Sequence, residues 1–61
     1  MDVWVTFIGN NKIECECTKG IDVIKIEYDL DEYNNYREAI ADFILDAGIH
    51  NHKIQTHYAV V

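Results

Sequence analysis

The stretch DLDEYNNYREAIADFILDAGI, residues 29–49, decides the fold. Read at the helical period, it places Tyr33, Tyr36, Ile40, Phe43, Ile44 and Ala47 on one stripe wide enough to seat on a sheet. One amphipathic helix is therefore expected from Asp29 to Ile49. Its start is signalled twice: Asp29 with Glu32 forms a capping-box-like pair, and Asp31 with Asn34 offers a second N-cap. Acids there also complement the positive end of the helix dipole. Gly48 suits the left-handed position just past a C-terminus, from which Ile49 can reach Ile44 in a Schellman motif.

The opposite face carries charge. Asp31, Asn35, Glu38, Asp42 and Asp46 form a ridge at spacings of four, three, four and four, so successive members rise about 4.5–6 Å along the axis. Arg37 is the only base in this stretch, and it lies toward the edge of the apolar stripe. Solvated helices commonly alternate signs and gain i,i+4 pairs; this one forgoes them. A plain solvated face explains such a run, and so does a negative surface presented to a basic partner. Leu45 points away from the stripe, beside Glu38 and Asp42, where it could anchor a contact inside an acidic rim.

The residues on either side of this helix read as strand. Val3 to Ile8 is uncharged and β-rich, which suits a central position. Gly9-Asn10-Asn11 reads as a hairpin turn. Lys12 to Cys17 alternates Ile13, Cys15 and Cys17 against Glu14 and Glu16, and Thr18-Lys19-Gly20 reads as a second turn. Asp22 to Tyr28 alternates Ile24, Ile26 and Tyr28 against Val23, Lys25 and Glu27. His50-Asn51-His52 reads as a loop before a last strand, Lys53 to Val61. The expected fold is a single α+β domain over residues 1–61, one helix on a four-stranded mixed sheet, in chain order β-β-β-α-β. Spatial order 4-1-2-3 keeps the uncharged first strand central, with a right-handed crossover bringing the fourth strand parallel to it. Val3, Val5, Phe7, Ile13, Cys15, Ile24, Ile26, Ile54 and Tyr58 should then lie under the helix. The other face should show Trp4, Thr6, Glu14, Glu16, Lys25, Glu27 and His57.

Eleven acids against five bases leave a net charge of −6. That balance argues against direct binding of nucleic acid or an anionic membrane, since both need a basic footprint. It favours a basic protein partner, or solubility alone. No stretch is long and apolar enough to span a membrane, and no secretory signal is recognisable. The expected location is the cytoplasm, or a host's cytoplasm if the chain is virus-encoded, which suits two unpaired thiols.

Other constellations read more plainly as structure. Cys15-x-Cys17 with His50-x-His52 offers the ligand types of a tetrahedral zinc site, but the cysteines are one residue apart instead of two to four. Two cysteines on one strand face pack as small hydrophobes. No metal or cofactor is expected. The histidines have no neighbouring nucleophile signature, and a single small sheet gives little depth for a substrate pocket, so no enzyme is expected. Tyr28, Tyr33, Tyr36 and Tyr58 could stack on bases, yet two lie on the helix stripe and the others share a face with Ile residues.

Together these features suggest a small acidic, non-enzymatic inhibitor. Its acidic ridge, helped by Glu14 and Glu16, would fill the basic groove of a nuclease or another nucleic-acid-handling protein. In size and charge it is like virus-encoded antagonists of host defence: anti-CRISPR, anti-restriction or antitoxin-like proteins. Partner-facing candidates are Asp31, Asn35, Glu38, Asp42, Leu45 and Asp46, then Trp4, Glu14 and Glu16. The alternatives are a homodimer formed through the Trp4 face or the edge of the last strand, and a metal-stabilised regulator.

Overall fold

A computed structural model describes residues 1–50 and 53–61. Strands β1 (Asp2–Ile8), β2 (Lys12–Lys19) and β3 (Asp22–Asp29) are followed by a short 3-10 turn (Leu30–Glu32), helix α1 (Tyr36–Asp46) and strand β4 (Gln55–Val60). The four strands form one sheet in the order β3-β2-β1-β4. β1 pairs antiparallel with β2 and parallel with β4, placing Val5 beside Cys15 on one side and Tyr58 on the other. The strand holding the uncharged run Val3 to Ile8 is thus central, as its sequence implies. Order 1-2-3-4 would have placed the charged faces of β2 and β3 there instead.

Two local expectations are corrected. The second turn is the two-residue Gly20-Ile21 step, one position later than Thr18-Lys19-Gly20, because Lys19 still pairs with Asp22. Gly20 takes φ 65°, the left-handed geometry that the first residue of a tight hairpin requires. The single helix from Asp29 is also not formed. Asp29 Oδ1 accepts the Asp31 amide and closes the 3-10 turn; Tyr33 is extended, at φ −129° and ψ 155°. Asn35, also extended, then starts α1 by accepting the Glu38 amide on its side-chain oxygen. Short polar side chains that bond nearby amides compete with helix continuation, and Asp29 and Asn35 both do so.

The far end of α1 matches the expected signal. Gly48 has φ 67°, its amide reaches the Leu45 carbonyl at 3.1 Å, and the Ile49 amide reaches the Ile44 carbonyl at 3.0 Å. These are the two bonds of a Schellman motif. Lys19 adds a cation at the negative helix end, its Nζ 2.9 Å from the Gly48 carbonyl oxygen.

The core lies between α1 and the inner strands. Val3, Val5, Ile13, Cys15, Cys17 and Tyr28 are buried beneath Ala39, Ile40 and Phe43, with Ala47 and Ile49 closing one end. Phe7, Ile24, Ile26 and Ile54 are only partly buried, and Tyr58 is 56% exposed. The helix is nearest β2. A helix is about 10 Å across and strands are spaced about 4.8 Å, so one helix shelters roughly two strands of four. Here the strand least covered on that side is β4, which meets α1 through the edge-on contact of Tyr58 with Tyr36.

Candidate functional site

The two flanks of α1 have different chemistry. On the β3 flank, Glu38, Asp42 and Asp46 stand at i, i+4 and i+8, a row with steps of about 6 Å. Asp42 accepts the Tyr33 hydroxyl at 2.7 Å, and Asp46 accepts the Tyr28 hydroxyl at 2.7 Å. Glu38 Oε1 accepts the Asn34 amide at 2.9 Å, answering the Asn35 cap. Asp31 sits off α1, in the 3-10 turn, with a long 3.4 Å contact from Asn11 Nδ2. The five-residue ridge on one helix is therefore corrected to a three-carboxylate row headed by the Asn35 cap, with Asp31 apart from it.

These carboxylates are held by neutral donors. A hydroxyl or amide fixes one oxygen without cancelling the charge, and leaves the other oxygen free for a ligand. The donors persist across ordinary pH. The Tyr33 phenol is pushed up to about 12 by its bond to Asp42, with burial adding to this. The Tyr28 phenol is raised further, by burial first and by Asp46 second. Leu45 is 78% exposed beside this row. On the other flank, the Arg37 guanidinium lies 5.8 Å from the centre of the Tyr36 ring.

The open sheet face shows the reverse pattern. Lys25 lies 3.9 Å from Glu14 and 3.5 Å from Glu16, and Lys12 lies 3.5 Å from Glu27. Glu14 and Glu16 are thus paired with a cation, which weakens them as an acidic surface. Trp4 is about half exposed; it stacks on His57 with ring centres 4.2 Å apart, and His57 Nε2 is 2.9 Å from Asp2 Oδ1. A shallow depression of about 300 Å³ at this corner is lined by Met1, Asp2, Trp4 and Thr18.

No protein-family model, curated protein or solved structure matches this chain.

Of the thiol-imidazole set, three members lie within the described residues. Cys15 and Cys17 face the core, where burial pushes the Cys15 thiol up to about 11 and raises Cys17 as well. His50 is exposed, and Asn51 and His52 lie outside the described residues. Among the described residues, no three His, Cys, Asp or Glu side chains gather as a metal site, and no helix is long and apolar enough to cross a membrane.

The sequence marks the last-strand edge as a candidate dimer surface, but it places Tyr58 under the helix and does not foresee the aromatic cluster on the β4 flank. Phe7, Tyr36 and Tyr58 form an aromatic cluster there, with Phe7 5.4 Å from Tyr36 and 6.2 Å from Tyr58. Val60 is 84% exposed beside it. The alternation of β4 was visible in sequence, but the limited reach of α1 was not.

Proposed function

We propose that this protein is a non-enzymatic inhibitor whose Glu38–Asp42–Asp46 row enters the basic groove of a nuclease or another nucleic-acid-handling protein in the cytoplasm. One observation carries the reading: neutral donors orient Asp42 and Asp46, whereas cations pair Glu14, Glu16 and Glu27 on the open face. Fixed carboxylates with uncancelled charge resemble the regularly spaced anions that a basic groove accommodates. Such charge chiefly speeds association and sets specificity. Leu45 supplies a desolvated contact within the row, and Asp31 extends the negative field beyond its start.

The test removes charge and keeps shape. In a Glu38→Gln, Asp42→Asn, Asp46→Asn variant, each side chain retains an oxygen able to accept its present bond. Proteins captured by the wild-type chain from its native cells should be basic nucleic-acid-handling proteins. They should be lost with the triple variant and released as salt rises. Equal capture by a variant with a wild-type melt would rule the row out.

A further inference from the structure

The edge of β4 points to a second surface, one that does not depend on the acidic row. Gln55 donates its amide to the Met1 carbonyl and Val61 donates to the Phe7 carbonyl. In a strand, N–H and C=O of one residue point the same way and alternate with the next. The odd-numbered residues of β4 therefore face β1, and Thr56, Tyr58 and Val60 direct both backbone groups outward from the sheet. Their side chains lie on the helix side, where α1 covers this strand least.

We infer that β4 pairs antiparallel with β4 of a second copy about a two-fold axis through Tyr58, giving a continuous eight-stranded sheet. In that register Tyr58 opposes its own copy, and Thr56 opposes Val60 of the other chain. All three outward residues then donate and accept, each finding its partner within Gln55–Val60 of the other copy. Charge selects a second copy as the occupant. Gln55–Val60 contains no Asp, Glu, Lys or Arg in a chain of net charge −6, so two copies meet here without like-charge contact. The opposite edge, β3, carries Asp22, Lys25, Glu27 and Asp29. An uncharged edge also offers a foreign chain no electrostatic steering. The core under α1 is small and the two cysteines are free, so oligomerisation supplies burial that no disulfide provides. A two-fold axis normal to the sheet puts both helices on one side and sends both acidic rows to the far ends.

Sedimentation equilibrium of the full chain, over a concentration series, should give a dimer that tightens or holds as salt rises, since salt screens the repulsion between two negative chains. Val60→Pro removes an amide that faces away from β1, so the β1–β4 ladder survives. Across the two-fold it deletes two bonds and should raise the dimer dissociation constant roughly thirtyfold. Val23→Lys, on the β3 edge, should leave that constant unchanged. A short bifunctional thiol reagent should cross-link Tyr58→Cys to its own copy, because directly opposed hydrogen-bonded residues lie about 5.5 Å apart at Cα. A monomer throughout the series would overturn the inference. So would a dimer indifferent to a folded Val60→Pro chain, or a dimer whose Tyr58→Cys form does not cross-link.

Discussion

The two edges of the sheet solve the same problem differently. β3 sets Lys25 and Glu27 on its open face, in ion pairs with β2, and seats Tyr28 under α1. At its end the chain turns back, with the Leu30 amide donating to the Asn11 carbonyl. β4 is less protected: His57 pairs with Asp2 on the open face, but on the helix side Tyr58 and Val60 stay exposed, and the strand carries no Asp, Glu, Lys or Arg. Charge and cover blunt an edge against pairing, and their absence leaves it able to accept a strand. One helix over four strands cannot protect both edges. This molecule has spent its helix on the β3 half, and the same choice places the acidic row over β3 and the aromatic cluster over β4.

The asymmetry is sharpest in the core. Phe43 is fully buried, and Phe43→Ala should cost about 3–5 kcal/mol, enough to unfold a chain of this size. Val60→Ala, measured as monomer, should stay within about 0.5 kcal/mol. Urea melts of the two compare the halves directly, and similar values would break the contrast. The helix anchor comes next. Gly48→Ala forces a Cβ into left-handed backbone and sets it 3.0 Å from Lys19 Nζ, a flexible end that can move. The backbone penalty of about 1–2 kcal/mol should dominate the thermal melt.

Smaller again is the loss of one phenol. Tyr28→Phe leaves Asp46 without its donor and should cost about 1 kcal/mol or less, as the carboxylate can turn to water. Asp46→Asn should cost less still, since an amide oxygen accepts the same bond. The last effect is absent at neutral pH and emerges only in alkali. Cys15 and Tyr33 titrate above their ordinary values of 9.0 and 10.0, at about 11 and about 12. The unfolded chain thus releases these protons first. Their contribution is complete below pH 9 and is lost as pH climbs through 11 and 12. A melt series in alkali should show that decline, and Tyr33→Phe should shallow its upper part.

Much of this was legible in residue order. Alternation in β2 and β3 assigned Cys15, Cys17 and Tyr28 to the helix side, and the absence of charge from Val3 to Ile8 made the first strand central. Gly48 and Ile49 announced the helix stop. The start misled, because Asp29, Asp31, Asn34 and Asn35 can all cap, and spacing alone does not choose among them. Asn35 prevails because Tyr33 turns out of helical backbone, its ring meeting Tyr28 edge-on while its hydroxyl reaches Asp42. The donors to the ridge carboxylates were not legible. The Tyr28 partner of Asp46 is 18 positions away, and no local period reports it.

Sequence by itself determined what is periodic: which strand faces are apolar, where α1 stops, and that net charge is negative. Those follow from dihedral geometry and composition, which each short segment carries alone. Tertiary structure decided which carboxylates are held by phenols, which are paired by lysines, and which edge stays bare. Each of those depends on where an α-helix about 10 Å wide comes to rest across four strands, and that position is set by packing between segments distant in the chain.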